Sequence, residues 1–207
     1  LLLWGIGLIW YGLGTFSEVI LSFTFSPTIL KLWYLSGAML TAAWLGQGTV
    51  YLLVRRRGVA NLLMLLLGIA SLTSLVLVIA APLSPQAASF NPAFPVSSQY
   101  KDILMRTGPV IFLTILLNIY GTLTLVGGAV FSAFLFWRKR VLANRMLGNV
   151  MIAAGALMPA MAGSLVKAGL VDILYISEFL GAVFMYGGFL LATSSRPVER
   201  TASAPIN

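Results

Sequence analysis

The sequence predicts an all-α fold: a polytopic integral membrane bundle of six transmembrane helices. Three observations predict it. Of 207 residues, 59% are hydrophobic and 9% charged, against about 25% charged in a soluble domain. One core cannot bury that much apolar surface, so lipid must cover the remainder. Apolar runs of about 20 residues, the length that crosses a bilayer, recur along the chain. Basic residues gather at the ends of those runs, above all in Val54-Arg55-Arg56-Arg57-Gly58-Val59-Ala60-Asn61 and Trp137-Arg138-Lys139-Arg140-Val141-Leu142-Ala143-Asn144.

The spans follow in order. Residues 1–17 are apolar and form the first, and Glu18 closes it or lies just inside its end. Phe23 to Pro27 reads as a turn, broken by Ser26-Pro27. Span two covers 28–54, with Trp33 and Tyr34 near one end and Tyr51 near the other, as in interfacial aromatic belts. Arg55, Arg56 and Arg57 close it. Span three covers 58–81 and stops at Pro82. Leu83 to Lys101 is the long polar connection, rich in proline and aromatics, and reads as a spacer or as a cap on the outer face. Span four, 107–137, is longer than a bilayer needs and should tilt or project. Span five covers 145–166, with Pro159 as an expected kink, and span six covers 172–193. The tail, 194–207, is Ser/Pro/Ala-rich and is expected to be disordered and cytoplasmic.

Orientation follows from charge. With the turns after spans two and four and the tail inside, nine basic residues lie inside and four (Lys31, Lys101, Arg106 and Lys167) outside. Cytoplasmic loops carry the excess of Lys and Arg, so both termini are expected inside, in a bacterial-type inner or plasma membrane. Arg55, Arg56, Arg57, Arg138, Lys139 and Arg140 are the expected cytoplasmic anchors, placed to meet anionic headgroups. The chain opens on Leu1 rather than methionine, so a signal peptide is neither visible nor excluded, and a preceding segment would make the count seven.

Shifting the chain by 83 residues overlays the two hinges, with seven identities in the nineteen positions from Leu52 to Ala70. The comparison preserves direction across the membrane, so a duplication, if real, is parallel, as in some transporters.

The absence of histidine and cysteine removes most reactive chemistry. A histidine base, a thiolate nucleophile, a disulfide or a zinc cluster has no residues to form from. No cofactor held by histidine or cysteine is expected, and bound lipid is. The surplus of 13 basic over 5 acidic residues shows no basic face or RNA-binding aromatic motif, so nucleic acid is not an expected partner. Met158 and Met161 resemble a Cu(I) thioether pair, but packing explains them as well. No P-loop or dinucleotide fingerprint is present.

Ionisable groups within lipid are costly, which makes each a functional candidate. Glu178, six residues into span six, is the first: a proton or cation site, or a carboxylate paired with Lys31, Lys167 or Arg106 at the outer rim. Glu18 and Asp172 fall at a similar depth and would make an outer cation-attracting ring, or else solvated helix-end charges. Gln47, Asn118 and Asn149 lie within spans and either tie helices together or line a polar pathway. Gly37, Gly46, Gly48, Gly127 and Gly128 mark faces for close helix packing.

Three functional classes fit this inventory. The first is a non-catalytic multi-pass protein, a structural or accessory subunit bound to other membrane subunits or to copies of itself. It suits the scarcity of reactive side chains. The second is a small transporter or channel using Glu178, which predicts Gln47 or Asn118 in the same cavity. The third is a sensor with a ligand pocket beneath the loop from Leu83 to Lys101. A membrane enzyme with Glu178 or Asp172 as acid–base group fits least, because no catalytic constellation accompanies them.

Overall fold

The computed structural model describes residues 2–54, 56–139, 143–167 and 171–194. Arg55, Arg140 and the tail beyond Ser194 lie outside the described residues, as do the side chains of Lys139 and Asp172.

The fold is all-helical. The helices are α1 (Leu2–Leu21), α2 (Pro27–Trp33), a π-helical segment (Tyr34–Leu40), α3 (Thr41–Leu53), α4 (Arg57–Ala80), a 3-10 helix (Pro85–Ser89), α5 (Val96–Ile103), α6 (Gly108–Lys139), α7 (Ala143–Lys167) and α8 (Val171–Thr193). Among the described residues no strand forms, only an isolated bridge between Leu83 and Leu104. Four helices are long and apolar enough to cross a membrane: Leu2–Leu21, Arg57–Ala80, Gly108–Leu135 and Ile176–Thr193. Their exposed leucine, isoleucine, valine and phenylalanine faces suit lipid.

α2, the π segment and α3 follow one another without a break and form the central rod. Ser26 caps its start by accepting from the Ile29 N–H at 3.5 Å, and Pro27 occupies the first turn, where a missing N–H costs nothing. α1 packs along the rod, α6 packs on its other side, α7 on α6 and α8 on α7. α8 returns to α1 through Trp4 against Phe189, ring centroids 6.2 Å apart. α4 lies outside this ring. Only Ala60, Leu67, Ser74 and Val78 of α4 are buried, a single stripe facing the rod and α6.

One sequence alternative is resolved and one expectation changes. α1 continues to Leu21, so Glu18 lies just inside the end of the helix rather than closing it, because Val19, Ile20 and Leu21 extend the apolar run. Trp33 and Tyr34 are core residues, not an interfacial belt. The cause is the connection before α6, which folds over that end of the bundle and excludes solvent. α5 within it buries Val96 and Ile103, with Leu104 just beyond, in the main core. The connection is closed by two backbone bonds, Ser84 N–H to the Ile103 carbonyl at 2.9 Å and Met105 N–H to the Pro82 carbonyl at 3.0 Å. α7 runs through Pro159 as one helix.

Candidate functional site

The polar residues inside the bundle fall into two groups. The first ties the rod to its neighbours. Asn118 on α6 donates to the Ala38 carbonyl in the π segment at 2.7 Å and to its own helix at Thr114 at 2.8 Å. Tyr34 and Thr114 share a 2.8 Å hydrogen bond beside it. A π turn disturbs the regular ladder, and here two side chains of α6 meet that stretch. Just after it, Thr41 at the start of α3 donates through its hydroxyl to the Ser36 carbonyl at 2.8 Å. Gln47 is fully buried; it donates to the Ala60 carbonyl of α4 at 3.0 Å and accepts from the Tyr120 hydroxyl of α6. Trp44 donates to Ser71 of α4 at 3.1 Å, and Tyr51 to Asn61 at 2.8 Å. Asn149 of α7 donates to Ser132 of α6 at 2.7 Å. Gln47, Asn118 and Asn149 therefore sit in three separate contacts.

The second group lies at the cap end, where α1, α2, α5 and α8 meet. Tyr11 donates to the backbone carbonyl of Glu178 at 2.9 Å, which sets α1 against α8 at that level. Glu18, two turns further along α1, is only 8% exposed. The Trp33 indole donates to its Oε2 at 3.3 Å, and the backbone N–H of Val96, at the start of α5, approaches the same carboxylate. Its Oε1 is buried without a partner. Glu178 is half-buried and stands within electrostatic reach of Glu18, and the Tyr11 hydroxyl is within reach of both.

The cations offered by the sequence as partners for Glu178 are engaged elsewhere where they are described. Lys31 donates to the Ile79 carbonyl at 2.7 Å. Arg106 stacks 5.0 Å from the centroid of Tyr100, whose ring also packs on Trp33 and Tyr34. Burial pushes the Tyr100 phenol up, against the lowering effect of the Arg106 guanidinium. The side chain of Lys167 lies outside the described residues. So does that of Asp172, so the expected ring of three acids is described as the pair Glu18 and Glu178.

The glycines show how closely the helices approach. Gly37 in the π segment faces Gly14 of α1. Gly46 abuts Gly121 and Thr124 of α6, Gly48 abuts Trp4, and Gly128 abuts Thr49. Gly127 differs from the expectation: a side chain there would meet nothing within 4 Å, because it faces away from the rod. Gly148 and Gly155 of α7 meet the backbone of α8 at Gly188 and Gly181. Those pairs, with Gly121, were missed in the sequence, although the seven-residue spacing of Gly148 and Gly155 puts both on one helix face. Of the described basic anchors, Arg56 and Arg57 at the start of α4 and Arg138 near the end of α6 are exposed.

Trp33 and Tyr11 as partners of the acids, and α5 as their cover, were also missed. The signal for α5 was present: Val96, Tyr100, Ile103 and Leu104 repeat at helical spacing after Pro95.

No family model, no curated protein and no solved structure matches this chain.

Proposed function

We propose that the chain is a six-span, non-catalytic membrane protein that works as a structural or accessory subunit of a larger membrane complex, with both termini cytoplasmic. The rod from 27 to 53 and α7 supply the two spans beyond the four apolar helices. At 1.5 Å per residue they measure about 40 and 37 Å, enough for a hydrocarbon core of about 30 Å. Parallel duplication would explain why both basic hinges join antiparallel helices in the same sense. Lipid and neighbouring subunits are the proposed partners.

One observation carries the reading: the amides Gln47, Asn118 and Asn149 are each spent on a contact between helices. Hydroxyls of the spans, including Ser17, Ser36, Ser71 and Thr124, bond to their own helix carbonyls. Polar groups used in this way fix packing between helices. The test is the mass of the particle released by gentle extraction from the native membrane. A stoichiometric assembly containing other chains, well above 22.2 kDa, is expected; a lone monomer would overturn the proposal.

A second reading, a small transporter using Glu178 as a proton or cation site, is favoured by the unpartnered Glu18 oxygen near Glu178. It predicts that Glu178→Gln abolishes uptake driven by a pH gradient in proteoliposomes. Unchanged uptake would end it.

A further inference from the structure

We propose that a polar cleft in the connection between α4 and α6 binds the ammonium group of a small organic amine. The cleft lies between the 3-10 helix and α5 and holds about 390 Å³. Gln86, Ser89, Ser98, Gln99, Asp102 and Ile103 line it. α5 turns Val96, Tyr100 and Ile103 to the bundle core, and helical spacing puts Ser98, Gln99 and Asp102 on another side. Both ends of the cleft are tied. At one, the Ser84 N–H bonds the Ile103 carbonyl at 2.9 Å, and the Ser84 hydroxyl donates to the Asp102 carbonyl. At the other, the Gln99 side chain accepts from the Asn91 N–H at 2.9 Å. It also donates to the Asn91 and Phe94 carbonyls at 2.9 and 3.0 Å. The walls are set before a ligand arrives, which lowers the cost of ordering them on binding.

The hydrogen-bond inventory of the lining selects the ligand. Ser89 has spent its proton on the Gln86 carbonyl at 2.8 Å, and Ser98 its own on the Pro95 carbonyl at 2.7 Å. Both N–H groups of the Gln99 amide are spent too. These side chains still offer lone pairs, and Gln86 is the one lining side chain with N–H to give. Asp102 adds a carboxylate with no hydrogen-bond or ion-pair partner among the described residues. Lys101 is exposed and Arg106 lies over Tyr100; neither lines the cleft. An ammonium group answers such a lining, with a positive charge, three donors and no acceptor. A neutral polyol would leave the carboxylate without a counter-charge, and an anion would meet no cationic side chain. A hard metal ion takes about six or more oxygens, and among the described residues no three acidic side chains converge.

The experiment is saturation-transfer NMR from the full chain, in phosphatidylcholine nanodiscs at neutral pH, to dissolved ethanolamine, with empty nanodiscs as background. Transfer to ethanolamine should level off with concentration. Choline, which has the charge without N–H donors, and ethylene glycol, which has donors without the charge, should receive far less. Asp102→Asn keeps the size of an exposed side chain and removes its charge, so it should weaken ethanolamine binding about threefold or more. Ser98→Ala, which removes only a lone pair, should weaken it less. A wild type without saturable transfer overturns the proposal. So does wild-type affinity in Asp102→Asn, or equal transfer to ethanolamine and choline. Nanodiscs containing phosphatidylethanolamine then separate two sources of the amine. Loss of ethanolamine binding in them assigns the cleft to a lipid headgroup, and undiminished binding assigns it to a free solute.

Discussion

Gly121→Leu is expected to abolish the folded bundle. A Cβ at Gly121 would lie 2.6 Å from both the carbonyl oxygen of Ala42 and the amide nitrogen of Ala43. Both are backbone atoms just after the π segment, so no side-chain rotation relieves the clash. α6 must retreat from the rod. The ties that precede Gly121 on α6 then open: Tyr34 to Thr114, Asn118 to Ala38, and Tyr120 to Gln47. Overpacking alone costs about 1–3 kcal/mol and sometimes more, and each interhelical bond in a membrane protein adds about 0.6 kcal/mol. Against a total stability of about 5–15 kcal/mol, leucine at this position leaves little. Gly121→Ala should already lower the unfolding midpoint clearly in a denaturant titration in micelles. Gly127→Ala, six residues along the same helix, should leave it unchanged, because nothing lies within 4 Å of its Cβ position. Equal midpoints for the two alanine variants would mean that α6 does not approach the rod as described.

The contrast between Gly121 and Gly127 shows what the sequence could carry. The four long apolar helices were legible because lipid would impose a single constraint, a run of apolar residues of fixed length. Which face of a span meets another helix was much less so. A soluble helix announces its buried side by polarity, but Leu65 of α4, facing out, and Leu67, facing in, look alike in a chain with two apolar solvents. Glycine pairs such as Gly14 with Gly37 depend on partners far apart in sequence. The π segment left no mark either, since Tyr34 to Leu40 reads as ordinary helix and its wider turn belongs to tertiary contacts. Among the acids, Glu178 stood out by its depth in a span. Glu18 looked like a helix end, because its cover, α5, comes from a connection almost eighty residues downstream.

Gln47 offers the second large effect, and one that separates packing from passage. It is 0% exposed, donating to the Ala60 carbonyl and accepting from Tyr120. Gln47→Leu keeps the volume but leaves the Tyr120 hydroxyl facing an alkyl chain and removes one of the ties between α3 and α4. Tyr120→Phe leaves the Gln47 oxygen stranded instead. Each single variant should lose stability by about 1–3 kcal/mol, the cost of an unmet buried polar group. In the pair Gln47→Leu with Tyr120→Phe, neither group is stranded. Residues in one contact couple by about 0.5–3 kcal/mol, so the double variant should be less destabilised than the sum of the singles. Strict additivity in a double-mutant cycle would show that the two side chains do not meet. The same double variant bears on function. A packing tie tolerates an apolar replacement, so partner assembly should survive it. A polar pathway would not, because leucine and phenylalanine at that level offer nothing to a hydrated substrate. Stability with assembly retained would place Gln47 among the bonds that hold the scaffold; stability retained with uptake lost would move it into the route of a transporter.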